Sequence, residues 1–528
     1  MSVNDSVLPR ESFVRFNVSP LPFPQLVWFD DRKISVSEVL NNAFFVPLHF
    51  LLACKDSKLV SACSDRYGGV GVGYHGGSAR CAIRNGVQVK GVGKTPLLGI
   101  PRTGDIDLAH ADGQLKLLDA CREVIWSEVC AAALPFGAVE SLAIVVAQTA
   151  LATSNEPPDL HSGAALLMRR FELRPAHFLR NIFFRPHNEP TAPSNLDSLR
   201  VAKAMEMLAS SFVSEGVIPA GSSNEEDCIS RSLLILAKRF AFQLAAATAK
   251  RIFHGSLCCS NICLDGKFID FGTMTSVPGY ERLNGSTPFW KQEPALISVL
   301  LNLRLQSMYY LGVAPVDFVD AKQIEDVFID TYRRRLDVEF LKLAGIPEAA
   351  VLEFDLSEAK LLFYCMKRLA LRGSEDPFVI RKSYLKGARK PKLGRFDLNE
   401  VFLKIRPHIT SEKVMFETLK RELNDLTLAA ELSARLFTLF DWYFARIETG
   451  KIDQAIAMVQ ANITRLNAPI NFLTKDALDE RFLPLIKTSS YSRIGVELNS
   501  VIAAAICLTR DCSEDELFPK ADQVEIQL

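Results

Sequence analysis

The sequence predicts an α+β fold in which a glycine-dense, hairpin-forming part precedes a mainly helical remainder with a C-terminal helical extension. Three observations predict it. Residues 67–99, YGGVGVGYHGGSARCAIRNGVQVKGVGKTPLLG, set Asn85-Gly86 between short β-prone runs, the strongest short-range hairpin signal a sequence carries. Residues 114–133, and the series Ile229, Leu233, Leu236, Phe240, Leu244 and Ala247, repeat apolar side chains at helical spacing. From about residue 290 the same spacing dominates, interrupted by the basic loop IRKSYLKGARKPKLGRFD.

The chain of 528 residues has room for about three domains. Its pattern divides into an N-terminal extension (1–64), a small β-rich lobe (65–160), a larger, mainly helical lobe (161–400) and a C-terminal helical region (401–528). Lys plus Arg and Asp plus Glu are both 61, so the net charge is zero. That balance excludes a protein that coats nucleic acid or anionic lipid through bulk charge. Any phosphate must be met by a local cluster. A 48% hydrophobic and 23% charged composition excludes disorder as the main theme.

The twelve cysteines are scattered through a long chain, and the N-terminus lacks a basic region followed by an apolar one. The most apolar stretch, VCAAALPFGAVESLAIVVAQTALAT, is broken by Pro135, Gly137 and Glu140, short of the roughly 20 residues a membrane span needs. A cytoplasmic protein with reduced thiols and no membrane insertion is expected.

Taken in order, the first sixty residues mix SPLPFPQ with apolar runs such as NNAFFVPLHFLLA, a segment expected to pack on the body. The glycine-rich turn and its hairpin follow, with Lys90 on the second strand. The helix over 114–133 carries Glu123 and Glu128, and SLAIVVAQTALA reads as a strand. Residues 183–199 and 217–227 read as loops. Ser223 and Glu226 form a capping box for the next helix.

That helix ends at HGSLCCSNICLDGKFIDFG, residues 254–272. Two short β runs joined by Asp265-Gly266 put Asn261 just before the first and Asp270 just after the second. Antiparallel pairing brings an amide oxygen and a carboxylate together, the donor set of a hard cation such as Mg²⁺. A helix, His-Gly, an Asn, a hairpin and Asp-Phe-Gly, in that order, resembles the catalytic layout of protein-kinase-like enzymes. Such a bilobal fold needs a glycine-rich turn, a strand Lys and a helix Glu upstream. Gly76 to Arg80, Lys90 and Glu123 occupy those places in order.

These residues, with DGQLKLLDACREVIWSE, WKQEPALISVLLNL and WYFARIETGKIDQAIAMVQANITRLNAPINFL, resemble the selenoprotein-O-like protein adenylyltransferases over about residues 65–485. The resemblance implies a protein-kinase fold that binds ATP in an inverted pose and transfers AMP to protein hydroxyls. It implies Gly77, Arg80, Lys90, Asp112 and Gly113 around the nucleotide, with Lys90 orienting phosphates and Glu123 holding Lys90. It implies Mg²⁺ on Asn261 and Asp270, and two phosphate-gripping arginines. Arg169 and Arg180 are offered for these, at a spacing that does not match; the alternative for them is an exposed helix face.

The departures carry information. The family's Asp before the metal-binding Asn is Ser260 here, and the kinase-type Asp after His-Gly is Ser256. The second turn glycine is Ala79, and the Arg of the family's Asp-Gly-Arg loop is Gln114. A hydroxyl acceptor gains about 10²–10⁴-fold from a positioned base, whereas a carboxylate is already ionised at neutral pH. The sequence therefore points to ATP- and Mg²⁺-dependent AMP transfer onto a peptide or protein acceptor, its carboxylate in particular, or to a degenerate pseudokinase scaffold. An ordinary phosphotransferase is the third reading. A narrower resemblance is to the maturation proteins of siderophore-carrying microcins, distant members of the same family. It implies a small acyltransferase-like partner and attachment of a siderophore to a precursor's C-terminal Ser.

His254, Cys258, Cys259 and Cys263 lie close in sequence but lack zinc-type spacing; small buried side chains and a loop-holding histidine are expected. The basic run Arg381 to Arg395 reads as a solvated loop, or as a docking surface for an acidic partner.

Overall fold

A computed structural model of the protein describes residues 7–46, 59–100, 113–147, 164–186, 194–219, 225–280, 289–371, 398–423 and 425–512. Ser223 of the expected capping box, Asp112 and the basic run 381–395 lie outside the described residues.

The first half builds one sheet. Its strands are β1 (Phe13–Pro20), β2 (Pro24–Phe29), β3 (Phe44–Phe45, after the short helix α1, Val36–Asn41), β4 (Val60–Asp65), β5 (Cys81–Arg84) and β6 (Val87–Lys90). After helix α2 (Leu117–Ala133) come β7 (Ser141–Ala147) and β8 (Ala165–Arg170). The order is β2-β7-β8-β6-β5-β4-β1-β3 and each neighbouring pair is antiparallel. The segment read as an N-terminal extension thus supplies strands to both ends of this sheet. The Asn85-Gly86 hairpin forms with Cys81 opposite Lys90 and Arg84 opposite Val87. Both turn residues have positive φ, 53° and 76°, the twist-matched turn that Asn-Gly favours.

Both faces of the sheet are covered, so β7 is apolar without alternation. In β7, Leu142 and Val145 join one core while Ile144 and Val146 join the other, which α2 completes with Leu117, Cys121, Val124 and Ile125. In β6, Val87 and Val89 enter the first core. The two-residue period of a strand then turns Gln88 and Lys90 towards α2. That alternation aims the strand lysine at the helix glutamate.

The second half is helical: α3 (Ser194–Glu206), α4 (Leu208–Ser214), α5 (Glu225–Ala249), a two-stranded ribbon of β9 (Ile252–Phe253) and β10 (Thr275–Ser276), then α6 (Glu293–Leu311), α7 (Ala321–Leu341), α8 (Glu348–Glu353) and α9 (Leu356–Leu371). The C-terminal region adds α10 (Leu398–Ile405), α11 (Glu412–Glu422), α12 (Leu426–Phe444), α13 (Ile452–Leu466), α14 (Lys475–Lys487) and α15 (Tyr491–Thr509). The expected helix over the 229–247 series is α5, with Ile229, Leu233, Leu236, Phe240 and Leu244 buried.

Residues 183–199 are not wholly a loop. From Ser194 they enter α3, whose apolar stripe (Val201, Ala204, Met205) begins beyond the polar stretch that hid it. Among the described residues, two helical stretches are long and apolar enough to cross a membrane, Asp227–Ala249 within α5 and α15 itself. The first is 72% buried in the interior and the second 39%, against α2 and β2.

Candidate active site

Lys90, at the end of β6, is held between two carboxylates: Glu123 Oε1 of α2 at 2.6 Å and Asp270 Oδ1 at 2.5 Å. Lys90 and Glu123 are buried, while Asp270 keeps 39% of its side chain exposed. A buried ammonium needs such partners, because desolvating it alone costs several kcal/mol. Arg169 is a cross-strand neighbour of Gln88 on β8. Its Nε donates to Gln88 Oε1 at 2.8 Å, and its Nη1 stands 3.7 Å from Glu123 Oε2. It sits on a buried strand, not on an exposed helix face. Burial opposes ionisation of Asp270, yet Lys90, Arg169 and Arg80 hold its carboxyl well below the usual range. The carboxylate is therefore charged throughout the physiological range.

Asp270 adopts the left-handed region, φ 66° and ψ 75°. A non-glycine residue there is uncommon, and the strain concentrates at functional sites. The segment before it folds back through the turn at Asp265-Gly266. Ile262 and Phe268 form a single antiparallel bridge instead of two full strands. Cys263 N donates to Lys267 O at 2.9 Å, and Ile269 N donates to Asn261 O at 3.3 Å. The last bond ties the residue before Asp270 to Asn261, as the expected hairpin requires.

Asn261 is oriented by its own loop: Nδ2 donates to Ser256 O at 2.7 Å, and Ser260 Oγ donates to Oδ1 at 3.1 Å. One lone pair of that oxygen is taken, which leaves a second. Ser256 Oγ pairs with Thr273 Oγ1 at 2.8 Å. His254 is buried and holds Ile269 O at 3.1 Å, and burial pushes its pKa down to about 4.

The glycine-rich turn is seated on this loop. Cys259 Sγ lies 3.4 Å from Gly68 O and 3.2 Å from Val70 O. A side chain at Gly69 would meet that sulfur at 2.7 Å. Gly77 has φ 141°, and a Cβ there would meet Asp65 O at 2.2 Å, so only glycine fits. Arg80 Nη1 donates to Gln114 O at 3.0 Å. Gly113 (φ 76°) packs so tightly on Gly93 that a Cβ would approach it to 2.2 Å. Lys90, Glu123, Asp270, Arg169 and Arg80 thus share one electrostatic site. Asn261 joins through the hairpin and Gly77 and Gly113 through the turn. Arg180 contributes its carbonyl to Gly69 N at 2.9 Å and has a buried Nε with no hydrogen-bond partner. The leading charges that act on Asp270 are those of Lys90, Arg169 and Arg80.

Sequence reasoning missed a second buried cluster directly behind the site. Asp65 accepts from Arg174 Nη2 at 2.6 Å, from His177 Nε2 at 3.0 Å and from Gln88 Nε2 at 3.1 Å. Arg174 Nη1 also donates to Ser260 O at 3.3 Å, and its guanidinium lies 4.3 Å from the centre of the Tyr67 ring. His177 Nδ1 accepts from Arg174 N at 3.0 Å. Its proton is therefore on Nε2, facing Asp65, in a neutral ring. Burial pushes the imidazole down to about 4. The sequence signal was the Arg-x-x-His spacing in FELRPAHF, which nothing local connects to Asp65.

Glu172, Glu215 and Asp265 form a cluster able to hold a metal ion, but Lys267 Nζ already reaches Glu172 at 3.1 Å and Asp265 at 2.7 Å. Compared with known protein families the chain matches no family model, and a comparison with curated proteins finds no match.

Proposed function

We propose that this is a protein-kinase-like nucleotide site, of the selenoprotein-O-like kind, that moves AMP from ATP to a peptide or protein acceptor. The observation that carries the reading is Lys90 bridging Glu123 and Asp270 at 2.6 and 2.5 Å, beside an Asn261 tied to the same hairpin. The amide oxygen of Asn261 and the ionised carboxylate of Asp270 fit a hard divalent cation. Bound there, Mg²⁺ would neutralise phosphate charge and align the transferred group. Lys90 and Arg80 would then orient phosphate oxygens by charge-assisted hydrogen bonds, and Glu123 would keep Lys90 on station. The turn holding Gly77 would cover the nucleotide.

Positions 256 and 260 are serines, so neither offers a carboxylate base to an incoming hydroxyl. An acceptor carboxylate needs none. Its oxygen would attack the α-phosphorus, the bond to the β-phosphate oxygen would break, and pyrophosphate would leave with an acyl-adenylate formed. A cytoplasmic peptide-maturation role, with a C-terminal Ser as acceptor and a small acyltransferase-like partner to receive the activated acyl group, follows from the microcin-type resemblance.

Incubation with α-labelled ATP, Mg²⁺ and a peptide ending in Ser should release pyrophosphate and label the peptide or yield AMP, with no turnover in Asp270→Ala. Release of ADP would replace this reading with an ordinary phosphotransferase. The serines at 256 and 260 also favour a second reading, a pseudokinase scaffold for a partner protein. In that case ATP with Mg²⁺ gives no thermal shift at saturating concentration.

A further inference from the structure

The C-terminal helices α14 and α15 pack on α2, and α15 also on the edge of the sheet. Arg122, the residue before Glu123, is buried, and its Nη1 reaches Asp479 Oδ1 of α14 at 2.6 Å; its Nη2 pairs with Asp119 one turn back. Helix α15 lies across both α2 and the edge strand β2. There Trp28 Nε1 donates to Asn499 Oδ1 at 2.8 Å. A Cβ at Gly495 would meet Val27 O at 2.4 Å, so this helix approaches the strand backbone as only glycine allows.

Beyond the end of α15, Asp511 pairs with Lys250 at 2.7 Å and Lys342 at 2.9 Å, and Lys250 also donates to Ala133 O at the end of α2. The same region reaches the segment after Asp270: Ser276 Oγ donates to Ile470 O at 3.0 Å and Lys475 N to Thr275 Oγ1 at 3.1 Å. Consecutive helix residues point about 100° apart. Fixing Arg122 on one side therefore fixes the rotation of α2 about its axis, and with it the direction in which Glu123 points.

We infer that residues 470–511 form a built-in brace, with Asp479 and Arg122 as positioning residues that hold Glu123 against Lys90 without a separate partner protein. The inference concerns the ligand-free protein, so it stands apart from the nucleotide reading.

The test compares wild type, Asp479→Asn and Asp479→Glu. The readouts are hydrogen exchange across Leu117–Ala133 and acylation of Lys90 by an amine-reactive ester, followed by mass spectrometry without nucleotide. Loss of a charge-assisted contact worth about one factor of ten should raise Lys90 acylation about tenfold in Asp479→Asn, and Asp479→Glu should restore protection. In a Glu123→Gln background, where the lysine has already lost its helix carboxylate and keeps Asp270 alone, Asp479→Asn should add nothing. Lower stability of Asp479→Asn with wild-type Lys90 reactivity would overturn the brace, as would an equal effect in the Glu123→Gln background. Should Asp479→Asn not fold, Arg122→Lys gives the same comparison. Absence of ATP binding in wild type would sink the nucleotide reading and leave this result unchanged.

Discussion

Two buried charge clusters lie a few residues apart in this protein and differ in one respect, access to solvent. Around Asp65 everything is sealed: Asp65 and His177 have side-chain exposures of 0% and Arg174 of 3%. Around Lys90, the lysine and Glu123 are as deep, at 3% and 2%, but Asp270 opens at 39%. In the sealed cluster Asp65 is satisfied by hydrogen bonds from Arg174, His177 and Gln88, although Arg174 Nε is left without one among the described residues. The open one ends in a charged carboxylate on a strained backbone that faces outward. The same residue types thus serve as a keystone in one place and as a candidate site in the other. Gln88 joins them, since it donates to Asp65 and accepts from Arg169.

The comparison breaks first at Asp65. Asp65→Ala leaves Arg174 desolvated with no carboxylate, a change that costs about 3–5 kcal/mol when a buried pair loses one member. Urea denaturation should show that loss, and the protein should be among its least stable variants. A cost near zero would mean that water reaches Arg174 and that the cluster is not sealed.

The next test is pH. His177 is neutral in the fold with its pKa pushed down to about 4 by burial, while an unfolded histidine titrates near 6.5. Between those values the unfolded chain holds a proton that the folded chain rejects, so this group's contribution is complete above about pH 6.5 and is lost as pH falls towards 4. Its size at the low end is on the order of 3 kcal/mol. Glu215 and Asp337 act in the opposite sense, because burial pushes their carboxyls up to about 7 and about 6. The measurement is therefore a difference. The destabilisation of His177→Gln relative to wild type should be largest at pH 7 and shrink steadily by pH 4.5. A pH-independent difference would mean that folding leaves the His177 pKa unchanged, and one that grows as pH falls would mean that the ring is charged in the fold.

How much of this was legible in the sequence follows from distance along the chain. The Asn85-Gly86 turn, the helices over 114–133 and 229–247 and the fold-back at Asp265-Gly266 rest on neighbours, and each was visible. Lys90 and Glu123 are 33 residues apart, but a strand with alternating side chains followed by an amphipathic helix constrains where each points. Asp65 and Arg174 are separated by 109 residues, and Arg122 and Asp479 by 357. No local pattern links them, because their pairing is decided by the sheet order and by the return of the C-terminal helices. The strands before residue 46 were overlooked for another reason: β1 does alternate, with Val14, Phe16 and Val18 against Arg15, Asn17 and Ser19, but the prolines of SPLPFPQ that follow made the whole segment read as an extension.

The smallest expected effect on stability sharpens the comparison most. Lys90→Met removes the centre of the open cluster, yet Glu123 keeps Arg169 at 3.7 Å and Asp270 is exposed enough to be solvated by water. Glu123 loses its hydrogen bond and keeps only the longer ion pair, while Asp270 is rehydrated, so the cost should be about 2–3 kcal/mol, below that of a buried charge left with no counter-charge. Asp270, freed from its strongest cationic neighbour, should titrate closer to an ordinary carboxylate. If the open cluster is a nucleotide site, this mild variant loses the ATP- and Mg²⁺-induced thermal shift completely. A more destabilised variant of the sealed cluster, such as His177→Gln, retains it. Should Lys90→Met prove as unstable as Asp65→Ala, the lysine would be a second keystone and the distinction between the two clusters would fall.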